Sequence, residues 1–307
     1  MLYRRVLITG ANGLLGQQLV RRMGGQPEYD VLATGLDDEP RFSGGSCGYA
    51  RLDVTQPERV KEVFLDFAPD VVINCAAMTN VDACEANKEA CWQLNADSVE
   101  TLARRCLQTG ARLVQLSTDF IFDGEHGPYR ENARPNPLSY YGRSKLAGEN
   151  AARGAGMDRW AIVRTVLVYG HAEGLTRSNI VLWLLDKFSR GESVNMVTDQ
   201  WRTPTYAPDL AAGVERLIRF GKHGVYHLSG RDFMSIHELA LETAEVFGFD
   251  PGLIQPATAS TFSQAARRPA RSGFIILKAE TEVGYNPRPF REALVHLGQE
   301  LGLKTYA

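Results

Sequence analysis

Val6-Leu7-Ile8-Thr9-Gly10-Ala11-Asn12-Gly13-Leu14-Leu15-Gly16 is the stretch on which the fold turns. Residues 6–9 read as a short buried strand, and Leu14, Leu15, Leu19 and Val20 recur at helical spacing directly after the glycines. Glycines at such a strand-to-helix turn let backbone amides approach a pyrophosphate, and the amino end of the helix stabilises its charge. Gly10, Asn12, Gly13, Leu14, Leu15 and Gly16 are therefore the expected cradle of a dinucleotide.

Working outward, apolar runs at 31–36, 71–75, 113–116 and 162–168 alternate with helical patterns at 57–67 and 89–107. Cys91, Leu94, Val99, Leu102 and Cys106 supply the apolar face of the second helix. This alternation predicts an α/β fold: a Rossmann-type doubly wound parallel sheet covered on both faces. After Gly170 the pattern loosens into helices at 180–188 and 208–220, a strand at 224–228, and a helix at 235–247. That last helix carries Ser235 as N-cap with Glu238 three residues on. Residues 255–272 read as a loop over a site. The expected division is a dinucleotide domain of 1–170 plus about 198–222, with a smaller substrate-binding lobe of 171–197 plus 223–307 docked on it.

Composition narrows the class. The 307 residues are 44% hydrophobic and 23% charged, with a formal net charge of -2, as in an ordinary globular enzyme. No basic excess points to nucleic acid. The longest apolar runs, such as 180–185, fall far short of the ~20 residues that span a bilayer. The start of the chain lacks a signal-peptide pattern, so a cytoplasmic location is expected. Five cysteines (Cys47, Cys75, Cys84, Cys91 and Cys106) form no CxxC pair and read as reduced thiols. His126, His171, His223, His227, His237 and His296 show no ligand spacing, so no metal is expected.

Asp37 and Asp38 close the second predicted strand, where Rossmann proteins place an acid against the adenosine ribose. No arginine stands there for a 2′-phosphate, Arg41 being the nearest, which leans toward NADH over NADPH; a solvated acidic turn is the other reading. Asp53 and Val54 are placed to meet the adenine. Tyr141 and Lys145 stand at i and i+4, one turn apart on a helix face. A neighbouring ammonium favours the phenolate and so lowers the tyrosine pKa toward the range of a general acid or base. Ser117 and Thr118 put hydroxyls at the end of a predicted strand, at the edge where parallel sheets bind ligands.

TGANGLLG (9–16), NCAA (74–77), STDFIFDG (117–124), YGRSKLAGE (141–149), VRTVLVYG (163–170) and DQWRTPT (199–205) occur in this order. Together they resemble the extended short-chain dehydrogenase/reductases. Within these they are similar to the dTDP-4-dehydrorhamnose reductase family, which also contains the regulatory β subunit of methionine adenosyltransferase. The resemblance runs from about 4 to 295. It implies NADH or NADPH as cofactor and a 4-keto-6-deoxy sugar on a nucleoside diphosphate as substrate. It makes Tyr141 the proton donor to the sugar carbonyl, Lys145 the partner of the nicotinamide ribose, and Thr118, ahead of Ser117, a hydrogen-bond donor to that carbonyl. Cys75, Ala76, Ala77 and Asn95 join the cofactor contacts, Asn95 from behind the site. Thr79, Val81, Phe120, Leu167, Asn179, Arg202 and Arg268 fall on the substrate side. Arg268 shares a loop with Arg267 and Arg271, whose guanidinium groups suit phosphate or simply face water. A second copy of the chain is a further partner, since dimers are common in the superfamily.

Three positions depart from the reductase pattern: Phe120 for a tyrosine, Leu167 for a tryptophan, and Arg202 for a frequent glycine. Each alters the expected sugar pocket. An epimerase or dehydratase is the related alternative, and Asp119-Phe120 after Thr118 lacks the Asp-Glu of dehydratases. A cofactor-binding regulatory subunit without turnover is the alternative from another class.

Overall fold

The computed structural model describes residues 4–44 and 46–306. Strands β1 (Arg4–Thr9), β2 (Tyr29–Gly35), β3 (Gly48–Arg51), β4 (Val71–Asn74), β5 (Arg112–Thr118) and β6 (Trp160–Thr165) join Gly224–His227 in one seven-stranded sheet. The order is Gly224–His227, β6, β5, β4, β1, β2, β3, and every neighbouring pair is parallel. Strands β4 and β5 are buried along their whole length, which is why they read as continuous apolar runs rather than alternating ones. The expected Rossmann-type sheet is present.

Helices follow the strands in chain order: α1 (Leu14–Met23), α2 (Pro57–Phe67), α3 (Val81–Ala86), α4 (Lys88–Trp92), α5 (Ser98–Thr109) and α6 (Tyr140–Gly154). Beyond them lie α7 (Ile180–Ser189), α8 (Ala207–Arg219), α9 (Ile236–Phe247), α10 (Leu277–Val283) and α11 (Phe290–Leu301). Leu19, Val20, Leu210, Val214 and Ala279 pack α1, α8 and α10 on one face of the sheet. Val60, Phe64, Val99 and Leu102 pack α2 and α5 on the other. A separate core, with Val181, Leu184, Leu239, Ala244, Leu294 and Leu297, joins α7, α9 and α11. No helix of the described residues is long and apolar enough to cross a membrane.

Four expectations need correction. Gly224–His227 is an edge strand of the central sheet rather than the start of the lobe, and α10 packs on α8. The chain thus returns to the dinucleotide side twice more than the 222/223 boundary allowed. The helix expected over 89–107 is broken by a π-helical turn, Gln93–Asp97, where the Asn95 side chain is drawn to Met78 and Ser144. The strand expected to reach Val168 stops at Thr165, because Leu167 takes a positive φ of 41°, an uncommon backbone for a branched side chain. The stretch 255–272 is no plain loop, since Ile254–Ala257 pairs in parallel with Val194–Val197. The capped helix at Ser235 is present, with Glu238 closing a capping box.

Candidate active site

The glycine turn packs too tightly for side chains. Gly10 has φ 65°, and a Cβ there would lie 2.7 Å from the Ala76 nitrogen. A Cβ at Gly16 would lie 2.6 Å from the Ala11 Cα. Gly13 caps α1 without a side-chain hydrogen bond, so the first-turn amides are left to a ligand. The cleft that opens over this turn holds about 1310 Å³, more than the roughly 300–1,000 Å³ of a single-ligand pocket. Leu14, Leu15, Asp53, Val54, Cys75, Ala76 and Ala77 line it as expected. The Asp53 carboxylate accepts from the Thr55 amide (2.9 Å) and hydroxyl (2.7 Å), which fixes this turn of the cleft wall. These residues fit a dinucleotide.

Asp37 corrects a premise. Its carboxylate accepts from Asn12 Nδ2 at 2.7 Å, Arg41 Nε at 2.7 Å and Arg41 Nη2 at 2.9 Å. Arg41, then Asn12, hold that carboxyl below its usual range. Both Asp37 and Arg41 line the cleft, so an arginine does stand beside Asp37.

At the centre, Thr118 ends β5 and Tyr141 stands in the first turn of α6. The Ser139 hydroxyl accepts the Gly142 amide at 3.1 Å and caps the helix. Gly142 is required: a Cβ there would lie 3.0 Å from the Phe120 carbonyl carbon. Lys145 reaches back under the helix, its Nζ donating to the Leu116 carbonyl at 2.7 Å. Thr118, Tyr141 and Lys145 all line the cleft and are almost wholly buried. Burial pushes Lys145 down to about 8. Burial also pushes the Tyr141 phenol up, opposed by a hydrogen bond from Thr118 and reinforced by the Asp119 charge. Desolvation is the largest influence on the phenol in the bare cleft. Ser117 turns away, donating to Glu149 Oε1 at 2.6 Å.

Other expected residues fall in three groups. Thr79, Val81, Phe120 and Leu167 line the cleft, with the Phe120 ring edge-on to Tyr141 at 5.7 Å. Asn179 and Arg202 line it with their polar groups already engaged. Asn179 caps α7 and donates to the Gly170 carbonyl at 2.7 Å. Arg202 donates to the Trp201 and Pro269 carbonyls at 2.8 Å and lies 3.6 Å from Asp119. Asn95 is not on the cleft wall; it ties the Met78 backbone to Ser144 Oγ at 3.0 Å. Arg271 stacks over Trp201 and Phe233 at 5.1 Å, away from the cleft, and Arg268 pairs with Asp82.

Several residues were missed. Glu149 is fully buried and bonded twice to Arg164 at 2.8 Å, behind α6. Its spacing of four from Lys145 was visible, but the partner on β6 was not. Asp119 is buried with its carboxyl raised by desolvation. Arg177 and Trp183 line the cleft from the lobe.

A family model described as RmlD substrate binding domain matches residues 4–302. The chain is 34% identical over 94% of its length to a probable low-salt glycan biosynthesis reductase of Haloferax volcanii, covering 96% of that protein. It is 32% identical to the methionine adenosyltransferase 2 subunit beta of Bos taurus, over 94% of this chain and 85% of that one. A dTDP-4-dehydrorhamnose reductase of Bacillus anthracis, solved in complex with NADP, superposes with a TM-score of 0.86 at 30% identity, over 97% of this chain and 100% of that one. The chain belongs to the RmlD substrate binding domain family, a branch of the extended short-chain dehydrogenase/reductases.

Proposed function

We propose that the protein is a nicotinamide-dinucleotide-dependent oxidoreductase that reduces the 4-keto group of a 6-deoxy sugar carried on a nucleoside diphosphate. The observation that carries this reading is the convergence of Thr118, Tyr141 and Lys145 at one cleft that also contains the glycine turn. The name of the Bacillus anthracis relative, a dTDP-4-dehydrorhamnose reductase, supports the sugar class.

A reduced nicotinamide dinucleotide bound at the turn supplies the hydride for the carbonyl carbon. Tyr141 donates its proton to the carbonyl oxygen and recovers one from solvent. The raised phenol pKa keeps that proton in place at neutral pH. Thr118 donates a hydrogen bond to the same oxygen. Lys145 binds the nicotinamide ribose hydroxyls, and its low pKa is raised again when the developing phenolate lies beside it.

Purified protein mixed with NADH or NADPH and a dTDP-4-keto-6-deoxy sugar should lose the reduced-nicotinamide absorbance. Tyr141→Phe should lower turnover by about 10²–10⁴-fold with cofactor binding kept. Absence of oxidation with every 4-keto nucleotide sugar would overturn the reading. Both cofactors are expected to bind, Asp37 taking the ribose hydroxyls and Arg41 the 2′-phosphate. Arg41→Ala should weaken NADPH relative to NADH by roughly tenfold, read from the two dissociation constants. An unchanged ratio removes Arg41 from recognition.

A regulatory subunit is the second reading, favoured by the likeness to the bovine methionine adenosyltransferase subunit. Tight cofactor binding without turnover is its signature.

A further inference from the structure

We infer that Asp82 is a stand-in anion: it holds Arg268 where the diphosphate of an incoming nucleotide will take its place. This rests on the nucleotide-sugar reading and goes beyond it in naming the residue that competes with the substrate.

Asp82 lies in the first turn of α3 and gathers donors from the loop opposite. Arg268 Nη2 donates to Oδ2 at 2.6 Å and Nη1 to Oδ1 at 3.3 Å, and the Ala266 amide donates to Oδ1 at 3.1 Å. The fork therefore grips a carboxylate in the two-oxygen geometry it would use on a phosphate. Arg268 lines the cleft, and so does Arg177 from the segment before α7. Arg268 thus links the lining of the cleft to the Asp82 carboxylate on α3.

Exposure decides which arginine can be handed over. The Asp82 side chain is 42% exposed and that of Arg268 19%, so water reaches the acid and weakens the pair relative to a fully buried one. A diphosphate carries more negative charge than a carboxylate and can displace it. Arg202 cannot take part in this exchange. Its side chain is 4% exposed, and it donates to the carbonyls of Trp201, Pro269 and Ala270. The ligand class that fits is a nucleoside diphosphate, engaged by Arg268, with Asp82 opposing it.

Calorimetric titration of the full chain with thymidine or uridine diphosphate, alongside the bare nucleosides, tests the exchange. Asp82→Asn should tighten diphosphate binding by roughly three- to tenfold, because the acid no longer competes. Arg268→Gln should weaken it about tenfold or more, and the Asp82→Asn gain should vanish in the double variant. Bare nucleosides should bind all variants alike. If Asp82→Asn binds the diphosphate equally or more weakly while the wild type binds it well, the stand-in role is overturned and the substrate reading stands. If the wild type binds no nucleoside diphosphate, both fall.

Discussion

Two arginine–carboxylate forks, one behind α6 and one beside the cleft that Arg268 lines, share their chemistry and differ in burial. Glu149 and Arg164 are 0% and 2% exposed in their side chains, whereas Asp82 and Arg268 are 42% and 19% exposed. The buried fork is saturated. Glu149 accepts from Arg164 twice, from Arg153 and from Ser117. No ligand can displace a pair whose separation would strand a charge away from water. It ties α6, which presents Tyr141 and Lys145, to the ends of β5 and β6. The exposed fork spans two elements that need not stay together and can be exchanged. Rigidity where chemistry requires a fixed geometry, and a replaceable anion where a ligand must enter, are built from the same two residue types.

Breaking the buried fork should have the largest effect on the fold. Glu149→Ala leaves Arg164 unpaired in the interior and should reduce stability by about 3–5 kcal/mol, measured by urea denaturation. Glu149→Gln, which keeps the shape and an acceptor, should lose less. If both variants unfold at the wild-type urea concentration, the fork behind α6 is no more consequential than the one beside the cleft.

Lys145 sharpens the same comparison through pH. Burial lowers it from 10.5 to about 8 in the folded cleft. Between those values the unfolded chain binds the proton and the native one does not, so this group's contribution to stability rises with pH from about 8 to 10.5. Buried thiols work against it, because Cys75 and Cys106 are pushed up to about 12 by burial and lose stability contribution above pH 9. The measurable quantity is therefore the difference between wild type and Lys145→Met, which should grow by up to about 3 kcal/mol over that window. A flat difference would mean that Lys145 is better solvated than its burial implies.

The two regions were not equally legible in the sequence. The glycine turn, the Tyr141–Lys145 spacing and the Ser235 cap are local: each depends on residues within a few positions, and all were readable. Both forks are long-range. Asp82 and Arg268 lie 186 residues apart, and no period or propensity links them. The domain boundary failed for the same reason, since Gly224–His227 looks like any short strand until it pairs with β6. Leu167 was read as an absent aromatic, but its positive φ arises from the path of the backbone into the pairing of Val168–Tyr169 with Thr205–Tyr206. Arg41 was seen and discounted: four residues from Asp37, it folds back in a bend that strand patterns do not encode. Local physics specified the glycine turn and the Tyr141–Lys145 face, and tertiary contacts specified both forks and the edge strand.

The smallest effect separates the forks most cleanly. Asp82→Asn removes a charge from an exposed pair and keeps an oxygen to accept the Ala266 amide, so the change in stability should stay within about 0.5 kcal/mol. Added salt should shrink it further, because screening acts on exposed pairs and hardly on buried ones. Thermal melts of wild type and Asp82→Asn at low and high salt, set beside Glu149→Ala, read both properties at once. A salt-independent loss of several kcal/mol in Asp82→Asn would make the exposed fork a structural clasp like its buried counterpart, and a clasp of that strength could not yield Arg268 to a ligand.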